Sequence, residues 1–567
     1  MGKKLNILLV ILLIFGAIPF AYSASTGRAK GTQLKQPVKG FAVKVETCFD
    51  GCHETVKMLY DRGAHSKANC GMCHEVSQSH LSAPGPENRP LVKTDHRTCA
   101  TCHEKELASM LDTSFHMSWA EKNEIPTYNA FPNSKSGNFQ LVQSRTPRFH
   151  AGLLADIAVN RTAGRFKYKN PYDVGKPIER LWDSVYDAHP EDGDNVSFVP
   201  RERTLAWRPQ KNIGIVGYAI CFKCKTADNI LDYAYLGAAE PGTKLQRDSK
   251  IMPALKDMNT SVNCIFCHDP HSAEPRIIND MLIEAMIEPE YKDNAYQKNP
   301  GIMPKAEIIT MGERGYDRKI AILDRYDSNF MCGQCHSAPN GSLYIYDWET
   351  GDPLLGFFQG NPYTTAFKEG PLEFYSHYKE KGWYSSIHPI TKTKWIPFTH
   401  PQVELASLSE HGKAGVYCTS CHYAKENNYS SHQVSLPKEK VAKTCLRSDC
   451  HGTGTTANWT KPAQALYSIE LVQQKSRVRM KELNIAINNT VDFIDDVNKG
   501  IYSVDAQKLA ALDDKLGQAL TVDFWWFGEY SQGFHNPALH ESSVTTAVKE
   551  LNDALSAAQK TALISKK

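Results

Sequence analysis

The sequence lacks a strong charge of either sign, and beyond its first residues it lacks any long apolar run. Its 65 Lys and Arg residues against 62 Asp and Glu residues give a net charge of +3 over 567 residues. A balanced charge argues against a nucleic-acid-binding protein or a polybasic membrane module. The 41% hydrophobic and 22% charged content argues against disorder. The 16 cysteines are too dilute for a small disulfide scaffold, and a chain this long can form a large core.

The first 23 residues have the pattern of a secretory signal peptide. Two lysines precede the apolar run 5–20, and Ala21-Tyr22-Ser23 offers small residues for cleavage. The run is shorter than the roughly 20 residues that span a bilayer, and a cleaved signal is therefore favoured over an uncleaved anchor. We expect a periplasmic or other extracytoplasmic location, where free thiols are at risk of oxidation.

Every cysteine belongs to a close pair, and a histidine directly follows seven of the eight pairs. The pairs are Cys48 and Cys52, Cys70 and Cys73, Cys99 and Cys102, Cys221 and Cys224, Cys264 and Cys267, Cys332 and Cys335, Cys418 and Cys421, and Cys445 and Cys450. The residues that follow them are, in the same order, His53, His74, His103, Lys225, His268, His336, His422 and His451.

Disulfides, zinc knuckles and c-type haem all use paired cysteines, and the histidines distinguish among them. The chain has only 21 histidines, so their recurrence behind the cysteines is not chance. A disulfide needs no histidine, and zinc does not require one at a fixed position. In c-type haem attachment two cysteines form thioethers and the adjacent histidine binds the iron. The pattern predicts eight covalently bound haem c groups, and it includes the two pairs with wider spacing.

Eight haems in one chain predict a mainly α protein with a haem-filled core, little β structure and long C-terminal helices. Apolar residues recur near a 3.6-residue period from Leu466 to Lys499-Gly500. Further helices are predicted from Val504 to Leu520 and from Asn536 onwards, for subunit packing or for bracing of the haem core. The expected regions are a signal peptide (1–23), an N-terminal trihaem region (24–115), a pentahaem catalytic core (116–455) and a C-terminal helical region (456–567).

The fourth motif, Cys221-Phe222-Lys223-Cys224-Lys225, has a lysine where the other motifs have histidine. One interpretation is sequence drift, with a remote histidine on the iron. The favoured interpretation is a lysine amine as proximal ligand, which requires that burial lower the lysine pKa. Since a substrate-binding metal needs one open position, the exceptional motif marks the predicted catalytic haem.

The order of motifs resembles the octahaem cytochrome c nitrite reductases, which are related to the pentahaem reductases and to hydroxylamine oxidoreductase. In those reductases three CxxCH motifs precede CxxCK and four follow, as over residues 48–451 here. His400-Pro401-x-x-Glu404 and His411-Gly412 resemble the segment before the next-to-last haem. The resemblance implies that His400 lines the active site and that His411 is a distal ligand of the last haem.

Other segments also resemble this family. Gly533-Phe534-His535-Asn536-Pro537 resembles the C-terminal distal-ligand motif, and His432 resembles another such ligand. His189 stands where the family places the distal ligand of the haem that here carries His336. The active-site arginine of the family implies Arg201 or Arg203, with Arg208 as a third possibility.

Two departures concern the pocket. The family has a Glu-Tyr pair after its CGQCH-type motif, whereas Ser337-Ala338-Pro339 stands here. It also has Lys-x-Gln-His-Pro, whereas residues 398–401 read Phe-Thr-His-Pro. The Glu, Lys and Gln of those motifs belong to a calcium site in the family, and we therefore expect no calcium at this active site. Tyr344 and Tyr346 are alternatives for the tyrosine, and a structural role is at least as plausible for each.

Seven bis-histidine haems need seven distal histidines. Four of the histidines outside the motifs are better explained as surface or core residues, namely His150, His377, His388 and His540. The nine candidates are His65, His80, His96, His116, His189, His271, His411, His432 and His535.

The resemblance implies reduction of nitrite, or of hydroxylamine, to ammonia at the Lys225 haem. An arginine and His400 would bind the oxygens of nitrite and deliver protons. The alternatives are oxidation of hydroxylamine or hydrazine, for which Tyr467 would crosslink to a haem, reduction of a sulfur oxyanion, and a non-catalytic electron conduit. The expected partners are a small nitrogen oxide, further copies of the chain, and a quinol-oxidising membrane cytochrome or small periplasmic cytochrome, without nucleic acid.

Overall fold

The computed structural model describes the parts of the chain that hold seven of the eight motifs. It describes residues 44–93, 96–111, 262, 264–287, 305–312, 317–337, 346–351, 370–388, 390–396, 400–423, 425–426, 429–432, 434, 437–529 and 531–564. All of these belong to one compact unit. The predicted signal peptide and residues 112–261 lie outside the described residues. So do several predicted site residues, namely His116, His189, Arg201, Arg203, Cys221, Cys224 and Lys225.

The described chain is mainly helical, which confirms the predicted fold class. Short helices carry or flank the motifs: Val45–Phe49, Glu54–Arg62, Gln78–Ser82, His96–Ala100, Glu104–Leu111, Cys264–Cys267, Asp280–Ile287, Ser328–Gly333, Pro371–Glu380, Gln402–Leu408, Glu410–Lys413 and Cys418–His422. Three long helices follow the last motif: Pro462–Asn498, Ala506–Gly528 and Pro537–Gln559. Single 3₁₀ turns span Cys70–Met72, Pro86–Asn88 and Pro437–Glu439.

The strands are short. In the one three-stranded sheet, Arg318–Leu323 pairs antiparallel with both Ala306–Met311 and Arg276–Ile277. The remaining strands form two-stranded antiparallel ribbons: His74–Glu75 with Leu91–Val92, Tyr346–Asp347 with Trp383–Tyr384, Ser386–Ile387 with Lys394–Trp395, Lys425–Glu426 with Tyr429–Ser430, and Tyr502–Ser503 with Leu563–Ile564.

The ends of the long helices follow ordinary capping chemistry. Pro462 and Pro537 occupy the first turn, where a missing N–H costs nothing. The Asp505 and Asn536 side chains accept hydrogen bonds from backbone N–H groups of the first turn. The first helix ends before Gly500, whose φ of +74° suits glycine.

The second long helix differs from the prediction, because it continues past Leu520 to Gly528. Its last turns contain Phe524, Trp525, Trp526 and Phe527. This stretch has no polar face to give a helical period, since Trp525, Trp526 and Phe527 are all buried. Because these side chains are buried on several sides, the sequence has no 3.6-residue alternation here from which the end of the helix could be predicted.

The largest core lies among the three long helices and the Pro371–Glu380 helix. Phe374 packs on Trp525 with ring centres 5.1 Å apart, and Met480, Leu516 and Leu551 are fully buried around them. None of the described helices is both long enough and apolar enough to cross a membrane. The long helices thus form a protein core, against which the motif-bearing segments are placed.

Candidate haem sites

The motif cysteines lie in tight turns that bring the following histidine back over the first cysteine. The N–H groups of His103, His268 and His336 donate to the carbonyl of the first cysteine of their own motif, at 2.9, 2.9 and 2.8 Å. In the widest motif the His451 N–H donates to the Cys445 carbonyl at 3.0 Å. The same closing bond therefore forms across a spacer of four residues, and the wider motif ends in the same local arrangement.

None of the fourteen cysteines that the structure describes is in a disulfide. Each of their side chains is therefore available for a thioether beside its motif histidine.

Five motif histidines face a second, distant histidine. The ring centres are 6.2 Å apart for His53 and His80, 6.3 Å for His74 and His271, 6.2 Å for His103 and His65, 6.4 Å for His422 and His535, and 5.9 Å for His451 and His411. Two imidazoles on opposite sides of one metal, each about 2.0 Å from it, hold their ring centres about 6 Å apart. The separations therefore fit a metal between each pair.

His432 lies close enough to His268 to influence its charge. Burial lowers the pKa of His268, and the nearby His432 adds to that effect. The His432 backbone N–H donates to the Ser109 hydroxyl at 2.9 Å, which places this histidine beside the N-terminal helices.

Burial favours the neutral form of His74 and His271, the form that binds metal. Burial lowers the pKa of His74 to about 4, and His271 and His53 contribute to the shift. Burial also lowers the pKa of His271, against the opposing effect of Asp269. The donor set therefore suits six-coordinate haem iron with two histidine ligands.

Five of the nine distal candidates thus lie about 6 Å from a motif histidine, and His432 lies within electrostatic range of His268. The backbone of His96 begins the His96–Ala100 helix, and its side chain is outside the described set. His116 and His189 lie in the undescribed span 112–261.

The remaining described motif histidine lies next to the predicted pocket residue. The rings of His336 and His400 are 5.7 Å apart and nearly perpendicular, at 85°. The His400 backbone has a φ of +65°, which is uncommon for a residue other than glycine. Hydrogen bonds hold this turn from both sides: His400 N–H donates to the Gly528 carbonyl, and Val403 N–H donates to the His336 carbonyl, each at 3.1 Å. Strained backbone held in this way is typical of functional sites.

A family model described as cytochrome c552 matches residues 208–566, well over half of the chain. The chain belongs to the cytochrome c552 family. It is therefore a c-type cytochrome with covalently bound haem, as predicted.

The curated relatives are distant members of the same superfamily. The cytochrome c nitrite reductase subunit NrfA of Nitratidesulfovibrio vulgaris is 24% identical over 343 residues, which is 56% of each chain. A cytochrome c-552 of Bacteroides thetaiotaomicron is 27% identical over 194 residues, 34% of this chain and 31% of the relative. The chain thus spans about half, or less, of the length of the curated relatives it matches.

A solved structure, the cytochrome c nitrite reductase of Desulfovibrio desulfuricans, matches with a TM-score of 0.44 and 18% identity. The match covers 64% of this chain and 68% of that chain. Its title describes two calcium sites in the catalytic subunit of that protein.

Two polar residues that the sequence analysis missed hold the cytochrome c552 motifs in place. Gln334, inside the sixth motif, is fully buried, and its side-chain oxygen accepts from the N–H of Ile278 at 2.7 Å. Asp269, directly after the fifth motif, accepts from the N–H groups of His271 and Ser272, both at 2.9 Å. The position of Asp269 beside Cys-His was the one local signal for it.

A third missed residue is Glu529, which follows the second long helix. Its carboxylate accepts from His535 Nδ1 at 3.0 Å and from the Gly533 N–H at 2.6 Å. Burial acts to raise the pKa of Glu529, but the bonds from His535, Ser531 and Gly533 together leave that pKa below its usual value. The carboxylate is therefore a buried charge beside a candidate iron ligand.

Proposed function

We propose that this protein is an octahaem c-type cytochrome that reduces nitrite, or hydroxylamine, to ammonia at a Lys225-ligated haem. The observation that carries the proposal is the set of histidine pairs, each formed by one motif histidine and one distant histidine at a metal-bridging separation. Membership of the cytochrome c552 family supports the nitrite-reductase assignment. The five pairs with measured separations are distributed from His53 to His535, which supports a multihaem protein.

The pairs give a ligand assignment for the haems. We assign His80 to the iron of His53, His271 to that of His74 and His65 to that of His103. In the later motifs the distal ligands are His432 for His268, His535 for His422 and His411 for His451. His189 remains the proposed partner of His336, and His96 and His116 become surplus candidates.

The closeness of successive motifs supports an electron relay. The Cys48 side chain lies beside that of Cys70, Cys99 lies beside Cys264, and Cys332 lies beside Cys418. Three further cysteine pairs link the remaining neighbouring motifs, namely Cys73 and Cys99, Cys267 and Cys332, and Cys421 and Cys445. The seven described motifs therefore form one unbroken series, as electron hopping between bound haems requires.

Bound haem supplies one-electron redox chemistry and, on an open face, a site for a small anion. In the proposed pocket Lys225 would be the lysine ligand of that iron. Arg201 or Arg203 and His400 donate hydrogen bonds to the oxygens of the anion and supply protons. Two backbone hydrogen bonds hold the turn at His400 independently of any substrate.

The test is steady-state turnover of nitrite, hydroxylamine and sulfite by the purified holoprotein with a reduced viologen dye. We expect nitrite and hydroxylamine to be consumed, and we expect Lys225→His to lower both rates at least tenfold. Lys223→His, in the same motif, is the matched control and keeps the wild-type rate. Equal rates in the two variants would contradict the role of Lys225.

Other outcomes of the same experiment identify the alternatives. Turnover of sulfite alone would indicate sulfur oxyanion reduction. No turnover, with eight low-spin haems that nitrite and cyanide leave unchanged, would indicate an electron conduit.

Oxidation of hydroxylamine or hydrazine has one observation in its favour, because Tyr467 is 69% exposed on the first long helix and accessible to a second copy. Two peptides joined through one haem after digestion would support that direction.

The remaining parts of the proposal concern the setting of the enzyme. We propose export by the cleaved signal peptide, assembly as a homo-oligomer, and reduction by a quinol-oxidising membrane cytochrome or small periplasmic cytochrome. We also propose that the active site holds no calcium, which metal analysis of the purified holoprotein tests.

A further inference from the structure

The proposed histidine ligands differ in what their second ring nitrogen contacts. His65 Nδ1 donates to the Pro270 carbonyl at 2.8 Å, and His268 Nδ1 lies 3.2 Å from the Ala273 carbonyl. These acceptors are neutral backbone groups, and the Asp269 carboxylate lies 3.7 Å from His271 Nδ1, beyond hydrogen-bond distance. His535 Nδ1 instead donates to the Glu529 carboxylate at 3.0 Å, so its acceptor carries a full charge.

Glu529 is built into the fold and is not a surface carboxylate that happens to lie nearby. It is fully buried, and its second oxygen accepts the Gly533 N–H. Its own backbone carbonyl accepts from the Gln402 side chain at 3.2 Å, in the turn that carries His400. Gly533 is needed here, because its φ is +80° and an added Cβ would lie 3.0 Å from both His540 and Ser476. The carboxylate therefore has a fixed position relative to the His535 ring.

We propose that Glu529 is a positioning residue that lowers the reduction potential of the haem held by His422 and His535. The inference rests on the proposed ligation by this pair. It adds a property that the family assignment does not supply, namely a reduction potential for this haem that is lower than it would be without the carboxylate.

The physical reason is the location of the negative charge. A carboxylate that accepts from the outer nitrogen of a ligating imidazole orients the ring and increases its basicity. A more basic ligand, with a negative charge behind it, stabilises ferric iron over ferrous iron. The effect is little screened, since Glu529 has no exposed surface. Backbone carbonyls carry only partial charge and exert a weaker effect on the His65 and His268 haems.

The experiment is a spectroelectrochemical titration of the holoprotein without substrate, followed by visible absorption and electron paramagnetic resonance. Glu529→Gln retains the size of the side chain and removes its charge. We expect one low-spin component to become at least tenfold easier to reduce, a shift of 59 mV for one electron. Because no substrate is present, the result is independent of whether nitrite is turned over.

Glu541→Gln is the matched control, since Glu541 is a half-exposed carboxylate in the next helix, paired with Arg479 at 2.7 Å. It should leave every component in place. Glu529→Asp shortens the side chain and weakens the contact with His535 while keeping the charge, so it should give a smaller shift in the same direction.

Two outcomes would overturn the proposal. One is an unchanged set of potentials in Glu529→Gln with full haem content. The other applies if Glu529→Gln loses haem, because Glu529→Asp is then the variant that decides. Reduction potentials in Glu529→Asp equal to those of the wild type would contradict the proposal. Low-spin components without bis-histidine signatures in the wild type would instead contradict the ligand assignment.

Discussion

The N-terminal segment and the C-terminal helices differ in how many apolar side chains they bury within the protein. Among the side chains that the structure describes between residues 44 and 111, Leu59 is the one hydrophobic side chain that belongs to the buried core. In the three long helices dozens of positions are buried, including Trp525, Trp526 and Leu551. The N-terminal segment nevertheless contains three Cys-His motifs and two of the proposed distal histidines, His65 and His80.

The difference indicates where the folding free energy comes from. Burial of apolar side chains contributes about 25 cal/mol per Å², and the C-terminal helices can use that source themselves. The N-terminal segment buries few of its apolar side chains against protein, so covalently attached haem must supply the missing apolar surface there. The first region is thus predicted to depend on its cofactors, and the second to be largely independent of them.

The largest expected effect comes from removing one N-terminal haem. Replacing Cys70 and Cys73 by alanine removes both thioethers and leaves His74 and His271 without iron between them. We expect residues 44–111 to become sensitive to protease, because so little side-chain core remains, while residues 462–559 stay protected. Limited proteolysis followed by mass spectrometry measures both regions in one sample.

The matched control replaces Cys445 and Cys450, in the motif that adjoins the long helices. There the Val441, Ala465 and Ile469 cluster provides protein contacts. Loss of that haem should open the chain locally and leave the N-terminal segment protected. Equal sensitivity in the two variants would show that the regions do not differ in cofactor dependence.

The same contrast explains how much of the molecule could be predicted from sequence. The Pro462–Asn498 helix was predictable, because a 3.6-residue period, Pro462 and Lys499-Gly500 are all local signals. The motif histidines were predictable for the same reason. The pairing of His74 with His271 was not, because it joins segments far apart in the chain. Glu529 had no local signal, since nothing in the sequence separates it from the other acidic residues.

A core substitution should affect the C-terminal helices and not the N-terminal haem region. Trp525→Ala removes a side chain that is 1% exposed and packs on Phe374, and it should cost about 3–5 kcal/mol of unfolding free energy. Tyr467→Ala, at a position that is 69% exposed, should change it by no more than about 0.5 kcal/mol. Denaturant unfolding followed by far-ultraviolet circular dichroism makes the comparison. Similar costs for both variants would contradict the proposed independent core.

The smallest effect concerns acid stability of the C-terminal helices. His540 is 3% exposed, packs on Trp526, and its Nε2 lies 2.8 Å from the Ser476 hydroxyl. Burial lowers its pKa to about 4, against about 6.5 in an unfolded chain. On acidification the unfolded state therefore binds the proton first. The contribution of a neutral His540 is complete above about pH 6.5 and is lost as the pH falls towards 4.

By pH 5 this titration should remove about 2 kcal/mol of stability from the wild type. His540→Gln has no titrating ring, retains a partner for Ser476, and should therefore lose about 2 kcal/mol less between pH 7 and pH 5. Because haem ligands and carboxylates titrate in both proteins, the difference between wild type and variant isolates His540. Denaturant midpoints at the two pH values measure it. Parallel loss in wild type and His540→Gln would show that the buried ring is not the acid-sensitive group of this core.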